Sequence, residues 1–195
     1  SMDCAMALQE LVAMGVKNIV TFDAHDPRVN NAIPLDGFDN VRAAYQMIKA
    51  LLKTVPDIKL NRDHTMIVSP DEGGMGRCIY YSSVLGLDLG MFYKRRNYSV
   101  VVNGRNPIEA HEFLGNDIAA KLKEKGAGRI FIFSTFGLFV EGFEKFDQYY
   151  ADGKIDKIFT TNLIYQPQEL LDREWYCSVN MSKYIALLVE TLNYD

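Results

Sequence analysis

Short apolar runs rich in β-branched residues alternate with amphipathic segments along most of this chain, and this alternation limits the fold more than any other feature. Alternation of strands with helical patterns of about 10–15 residues is typical of βαβ units, whose strands lie parallel. The sequence therefore predicts an α/β fold with an open parallel sheet flanked by helices. The runs that predict strands are 16–22, 65–69, 89–93, 129–136, 157–162 and 175–179.

Helices are predicted where apolar residues recur at spacings of three and four. In the segment 39–55, for example, Val41, Ala44, Ile48, Leu51 and Val55 fall on one helical stripe. The other predicted helices are 3–14, 76–86, 117–126, 142–153 and 181–192.

Composition excludes several classes of protein. The 195 residues carry a formal net charge of -4, and a nucleic-acid-binding protein normally shows a basic face. Three cysteines without a close pairing, Cys4, Cys78 and Cys177, indicate reduced thiols. No apolar stretch approaches the roughly 20 residues that span a membrane, and no signal peptide is evident. We therefore expect a cytoplasmic protein that contacts neither nucleic acid nor membrane.

Polar residues follow the predicted strands, where open parallel sheets bind their ligands. The mixture contains carboxylates, one imidazole, a basic triplet, glycines and small hydroxyl residues. In chain order these strand ends carry Asp23, His25, Asp26 and Arg28; Asp71, Glu72, Gly73, Gly74 and Arg77; Lys94, Arg95 and Arg96; Ser134, Thr135 and Gly137; Thr160, Thr161 and Asn162.

This mixture suits a magnesium–phosphate site. Carboxylates bind the hard cation, Lys and Arg neutralise phosphate charge, and glycines let backbone N–H groups reach phosphate oxygens. Magnesium seldom takes an imidazole ligand, so His25 is the weaker metal ligand. Taken singly, each segment also fits a capped turn or a solvated basic patch. Their combination, each just after a strand, favours a functional site.

Three segments together resemble the ribose-phosphate pyrophosphokinases, also called phosphoribosyl pyrophosphate synthetases. They are TFDAHDPRVNNAIPLDGFDNV at 21–41, IVSPDEGGMGR at 67–77 and KRR at 94–96, and the similarity continues through STFGLF at 134–139. The resemblance implies a phosphoribosyltransferase-like fold and a homo-oligomer. It also implies magnesium-dependent transfer of the β,γ-pyrophosphoryl group of ATP to ribose 5-phosphate, which gives phosphoribosyl pyrophosphate and AMP for nucleotide biosynthesis.

The same resemblance assigns roles to individual residues. Negative charge builds on the transferred group, so catalysis depends on positioning and electrostatic stabilisation, which a lysine and an arginine supply. The implied catalytic residues are Lys94 and Arg96; the implied substrate-binding residues are Asp71, Gly73, Gly74 and Thr135; the implied metal ligands are His25, Asp23 and Asp71.

The sequence departs from the family in two places. The family carries an acidic strand-loop of the type Val-Asp-Asp that holds ribose 5-phosphate, whereas here HEFLG runs through Asn116 directly into DIAAKLKEKG. The family also has a longer N-terminal half. We therefore expect residues 1–60 to be the remainder of that half. Residues 61–195 would form the C-terminal domain, with the phosphate-loop segment missing near 115–117.

Two alternatives to the enzyme remain open at this stage. One is a non-catalytic subunit that acts by assembly with an active relative, using the aromatic-rich segment 137–150 as an interface; those aromatics could equally form the core. The other is a phosphoribosyltransferase, although the Asp-x-His and Lys-Arg-Arg segments favour the synthetase.

Overall fold

The computed structural model of the protein describes residues 2–92 and 115–193. Its helices and strands alternate as the sequence predicts, except that the first strand is followed by a second strand across the 3-10 helix Pro27–Ala32. The strands are β1 Asn18–Phe22, β2 Gly37–Val41, β3 Met66–Ser69, β4 Asp88–Met91, β5 Phe131–Ser134, β6 Lys157–Thr161 and β7 Tyr176–Val179. The helices are α1 Met2–Ala13, α2 Ala44–Thr54, α3 Met75–Leu85, α4 Gly115–Glu124, α5 Glu144–Ala151, α6 Gln168–Leu171 and α7 Ser182–Leu192.

Every strand pair in the described ranges is parallel, which confirms the predicted α/β class. Hydrogen bonding divides the strands into three short sheets: β1 with β2, β3 with β4, and β5–β6–β7 with β6 at the centre. The carboxyl ends of paired strands lie side by side in a parallel sheet. The residues that follow them are therefore brought together at one edge.

One predicted helix begins too early. Of the expected helix 39–55, residues 39–41 belong instead to β2 at Gly37–Val41, and the helix, α2, starts only at Ala44. The ladder with β1 runs from Asn18 opposite Gly37 to Phe22 opposite Val41 and satisfies the backbone groups of both strands. This long-range pairing overrides the local helical periodicity, as tertiary context often does. The four-residue α6 was not predicted.

The core consists of two apolar clusters on opposite faces of β6. Successive residues of a strand point to opposite faces, so Phe159 joins the first cluster and Ile158 the second. Helix α2 packs over the first face together with residues of β7. The first cluster contains Ala43, Met47, Leu51, Val55, Phe159, Val179 and Met181, and the second Ala119, Ile130, Ile155, Ile158, Leu170, Trp175 and Tyr176.

The aromatic-rich segment 137–150 contributes mainly to this core. Four of its aromatic residues pack against the second cluster, which confirms the core interpretation for them: Phe139, Phe143, Phe146 and Tyr149. On either side of Phe139, Leu138 and Val140 are 70% and 86% exposed.

Two further observations concern the organisation of the chain. Helix α2 lies before the expected domain boundary at residue 60, yet it packs on β6 and β7 beyond that boundary. The boundary itself stays a prediction. Within the described ranges, no helix is long and apolar enough to cross a membrane.

Candidate functional site

The turn after β1 holds Asp23 in an unusual backbone conformation. Its φ of 47° lies in the left-handed region, which is costly for a residue with a side chain. Two hydrogen bonds fix this turn to the end of β2. The N–H of Asp23 donates to the carbonyl of Val41 at 2.9 Å, and the N–H of Ala24 donates to Asn40 Oδ1 at 2.9 Å. The position of the following His25 is thus determined by β2.

The side chain of Asp23 is connected to the three-stranded sheet. Thr135, which follows β5, donates its hydroxyl hydrogen to Asp23 Oδ2 at 2.6 Å. Thr161 at the end of β6 donates in turn to the carbonyl of Thr135 through its N–H, at 3.3 Å, and through its hydroxyl. Thr161 is fully buried. The end of β1 is therefore tied, through Thr135, to the rigid interior of the protein.

The turn after β3 is built around Asp71. Its Oδ1 accepts the N–H of Gly74 at 2.9 Å, which caps the short 3-10 helix Glu72–Gly74 that leads into α3. Ser69, buried at the end of β3, donates its hydroxyl hydrogen to the Asp71 carbonyl at 2.7 Å. The sequence Ser-Pro-Asp-x-Gly-Gly is thus a capped strand-to-helix turn with a fixed carboxylate.

The two glycines of this turn are needed for different reasons. A Cβ on the buried Gly74 would lie 2.8 Å from Ser69 Oγ, so close packing requires glycine there. A Cβ on the exposed Gly73 would lie 3.3 Å from Asp71 Oδ1 and 3.7 Å from His25 Cε1. The Asp71 carboxylate and the His25 ring therefore flank the bare backbone of Gly73. This is the point at which the two predicted strand-end segments meet.

Tyr81, on α3, is a residue of this region that sequence analysis missed. Burial, and the negative charge of Asp23, raise the pKa of the Tyr81 hydroxyl. Its ring centroid lies 6.4 Å from that of Phe133 on β5. The sequence signal was weak, because a tyrosine on a helix after a candidate turn is usually a packing residue. Asn40 was also missed, since it fell inside the helix that was wrongly predicted.

Other strand-end residues have internal partners. Arg28 forms a bidentate pair with Asp26 through its Nε and Nη2, and this hydrogen bonding lowers the pKa of the Asp26 carboxyl to about 2. The buried Thr160 interacts with the Tyr176 hydroxyl and with Gln166. Because these groups are already paired within the protein, they are poorer candidates for ligand binding than Asp71 and His25.

The basic triplet Lys94, Arg95 and Arg96 lies outside the described residues. The catalytic assignment of Lys94 and Arg96 therefore stays a prediction. The ligand roles of Asp23, His25, Asp71, Gly73, Gly74 and Thr135 stay predictions as well.

The donor set fits magnesium only in part. Among the residues that the structure describes, no three His, Cys, Asp or Glu side chains form a group that could hold a metal ion. Asp23, His25 and Asp71 therefore do not form a complete metal-coordination site by themselves. Magnesium in phosphate-transfer sites is commonly held by one or two carboxylates together with substrate phosphates and water. The carboxylates of Asp23 and Asp71 suit that weaker mode of binding.

Comparison with known proteins finds ribose-phosphate pyrophosphokinases that are similar to this chain in sequence. The ribose-phosphate pyrophosphokinase of Ralstonia nicotianae is 28% identical over 168 residues, which cover 79% of this chain and 50% of that protein. That of Pyrococcus abyssi is 28% identical over 150 residues, covering 70% of this chain and 50% of that protein. The chain thus spans about half the length of these relatives. No family model matches the sequence.

The fold comparison agrees with the sequence matches. The crystal structure of phosphoribosylpyrophosphate synthetase from Mycobacterium smegmatis matches with a TM-score of 0.69 at 17% identity, covering 98% of this chain and 64% of that one. This likeness confirms the predicted phosphoribosyltransferase-like fold. In sequence, the chain is thus similar to ribose-phosphate pyrophosphokinases over 70–79% of its length.

Proposed function

We propose that the protein transfers the β,γ-pyrophosphoryl group of ATP to the 1-hydroxyl of ribose 5-phosphate, giving phosphoribosyl pyrophosphate and AMP. The observation that carries this proposal is the meeting of Asp71 and His25 at the bare backbone of Gly73. Relatives named ribose-phosphate pyrophosphokinase support it. The reaction supplies phosphoribosyl pyrophosphate to nucleotide biosynthesis in the cytoplasm.

In this proposal the turn after β3 binds the sugar. Asp71 accepts hydrogen bonds from the ribose hydroxyls, and its orientation is fixed by the Gly74 N–H. Gly73 is exposed and has no side chain, so a ligand can approach its backbone closely. The buried Gly74 keeps the turn compact. The ribose is thereby held against a carboxylate that does not have to reorganise when the substrate binds.

Magnesium fits this site as a partner of the substrate phosphates. Asp23, His25 and Asp71 would hold the ion in a substrate-loaded site, with the carboxylates as the principal ligands. The ion supplies charge neutralisation for the polyphosphate. Lys94 and Arg96 contribute donors for the charge that develops on the transferred oxygens.

The organisation of the complete protein is part of the proposal. Residues 1–60 belong to an N-terminal half, and residues 61–195 form the C-terminal domain. The protein works as a homo-oligomer. The acidic phosphate loop of the family is not found between Gly115 and Asp117 in this sequence. Ribose 5-phosphate must therefore be gripped by other groups or by residues outside the present sequence.

The test is an assay of the protein at its full natural length with ATP, ribose 5-phosphate and magnesium. We expect AMP to form only when ribose 5-phosphate is present. The variant Lys94→Ala should lower kcat by roughly 100-fold or more, the effect of removing one preorganised charged donor. Failure of the natural sequence to make AMP would refute the proposed reaction, and an unchanged kcat in Lys94→Ala would remove that residue from the mechanism.

A non-catalytic partner subunit is the second candidate. The missing acidic loop favours it, and the exposed Leu138 and Val140 offer apolar contact area on the described surface. This candidate predicts that the protein alone makes no AMP. It also predicts co-elution with an active ribose-phosphate pyrophosphokinase in size-exclusion chromatography, and Leu138→Lys should abolish that association. Turnover by the isolated protein would exclude this function.

A further inference from the structure

We propose that Asn40 and Thr135 are positioning residues that hold the Asp23–His25 turn in its active geometry. This inference rests on the proposed function, because it names the groups that align two of its predicted metal ligands. It also gives Thr135 a different task from the direct substrate contact expected from the sequence. The proposal depends on three features of the turn: its backbone strain, its two anchors and the direction in which Asp23 is held.

The strain of the turn is the first feature. Asp23 adopts a left-handed φ of 47°, which is uncommon outside glycine although Asp tolerates it better than most residues, and surrounding contacts help to hold it there. The Asn40 side chain supplies one such contact. Its Oδ1 accepts the N–H of Ala24, which belongs to the peptide group between Asp23 and Ala24. Asn40 thus fixes the direction in which the chain leaves Asp23, and with it the position of His25.

The second anchor is the hydroxyl of Thr135, which reaches Asp23 across 112 positions of sequence. Thr135 is itself held by the buried Thr161, which donates twice to its carbonyl. Gln166 Nε2 donates to the carbonyl of Thr161 at 2.9 Å and so extends the chain of contacts. The orientation of Asp23 is therefore set by the core of the three-stranded sheet and not by its own flexible turn.

The third feature is that the two carboxylate oxygens of Asp23 have different surroundings. Thr135 occupies Oδ2, whereas Oδ1 has no hydrogen-bond partner within residues 2–92 and 118–193. A hydroxyl on one oxygen limits rotation of the carboxylate and leaves the other oxygen for an external cation or hydroxyl. Loss of the Thr135 hydroxyl should therefore release the carboxylate without removing its charge.

The experiment compares matched variants of the protein at its full natural length. Thr135→Val removes the hydroxyl at nearly constant volume, and Thr135→Ser retains it. Thr65→Val is the control, because Thr65 donates a similar hydrogen bond, to the Lys59 carbonyl at 2.6 Å, at the opposite end of β3. For Asn40→Ala, the control is Asn61→Ala, whose side chain interacts only with the nearby His64 in the described part of the chain.

We expect Thr135→Val and Asn40→Ala each to lower kcat by roughly tenfold, the size of effect expected for one lost hydrogen bond. KM for ATP should change by less than about threefold, since binding contacts are retained. Thr135→Ser should restore kcat, and both control variants should match the natural sequence. Thermal unfolding of every variant separates loss of folding from loss of positioning.

A second readout does not depend on turnover. Backbone amide resonances of Ala24 and His25 should shift in Asn40→Ala and in Thr135→Val, and Thr135→Ser should restore them. Unchanged amide resonances together with unchanged kcat in folded variants would overturn the positioning roles. If the natural sequence makes no AMP, the proposed function fails. The amide shifts then decide the inference alone, and their absence overturns it.

Discussion

The two-stranded sheets and the three-stranded sheet differ in what they contribute to the protein. In β5–β6–β7 the central strand is buried on both faces, and Phe159 and Trp175 are 0% and 2% exposed. In β1 and β3 most residues are only partly buried, and their carboxyl ends lead into exposed polar turns. Most of the hydrophobic stabilisation therefore comes from one region, while the candidate chemistry lies at the ends of the others.

A weakly packed region can still hold a candidate site in a fixed geometry. The turns at Asp23 and Asp71 bury little apolar surface, so they cannot be held in place by packing alone. Instead they are fixed by directional hydrogen bonds: Thr135 and the Gly74 N–H donate to the carboxylates, and Asn40 accepts the N–H of Ala24. Substitutions in the three-stranded sheet should therefore affect stability first, and substitutions in the exposed turns should affect activity first.

The largest effect is expected for Trp175→Ala. Trp175 is buried against Phe139 and Phe146 in the second cluster, and its Nε1–H donates to Asp147 Oδ1 at 2.7 Å. Truncation leaves a cavity, so the free energy of unfolding should fall by about 3–5 kcal/mol in urea titration. Tyr165→Ala, at a side chain that is 87% exposed, serves as control. A loss below about 1 kcal/mol at Trp175 would contradict the assignment of stability to this sheet.

An intermediate effect is expected in the turn after β3. Gly74→Ala places a methyl group 2.8 Å from Ser69 Oγ, and relief of that clash should cost about 1–3 kcal/mol of unfolding free energy. Gly76→Ala is the matched comparison two residues later. In the described structure no atom beyond the adjacent residues and the backbone of its own helix lies within 4 Å of the added Cβ, and helix α3 should gain up to about 1 kcal/mol. Equal effects at the two glycines would show that close packing at Gly74 is unimportant.

A smaller, pH-dependent effect is expected at Tyr81. Because its pKa is raised by burial and by Asp23, the folded protein keeps this hydroxyl protonated at a pH where the unfolded chain ionises it. The contribution of the protonated Tyr81 hydroxyl to the free energy of unfolding is complete below pH about 10 and is lost as the pH rises further. Tyr81→Phe should therefore reduce the alkaline slope of unfolding free energy by up to about 1.4 kcal/mol per pH unit.

Urea titrations between pH 9 and pH 11.5 measure this slope. Part of the alkaline slope should remain in Tyr81→Phe, because burial also raises the pKa of the Tyr176 hydroxyl. The exposed Tyr165→Phe serves as control. An identical slope in Tyr81→Phe and the natural sequence would place the Tyr81 hydroxyl in water and away from Asp23.

The sequence was sufficient for the architecture and for part of the site. Alternating strands and helices predicted parallel strands, and the rule that ligands bind beyond their carboxyl ends selected Asp71, Gly73 and His25. The structure brings these residues together although β1 and β3 belong to separate sheets. The contact of Thr135 with Asp23 could not be predicted, because it depends on how separate sheets pack. Asn40 was not predicted as a site residue, because its segment has a helical periodicity. In the structure the segment instead forms β2 and pairs with β1.

The role of the exposed turns is tested by AMP formation by His25→Ala beside the natural sequence, with thermal unfolding of the same samples. His25 is exposed, so its removal should leave the unfolding free energy within about 0.5 kcal/mol. If the exposed turns carry the chemistry, ribose 5-phosphate-dependent AMP formation should fall by roughly 100-fold. Undiminished AMP formation by a fully folded His25→Ala protein would contradict the account.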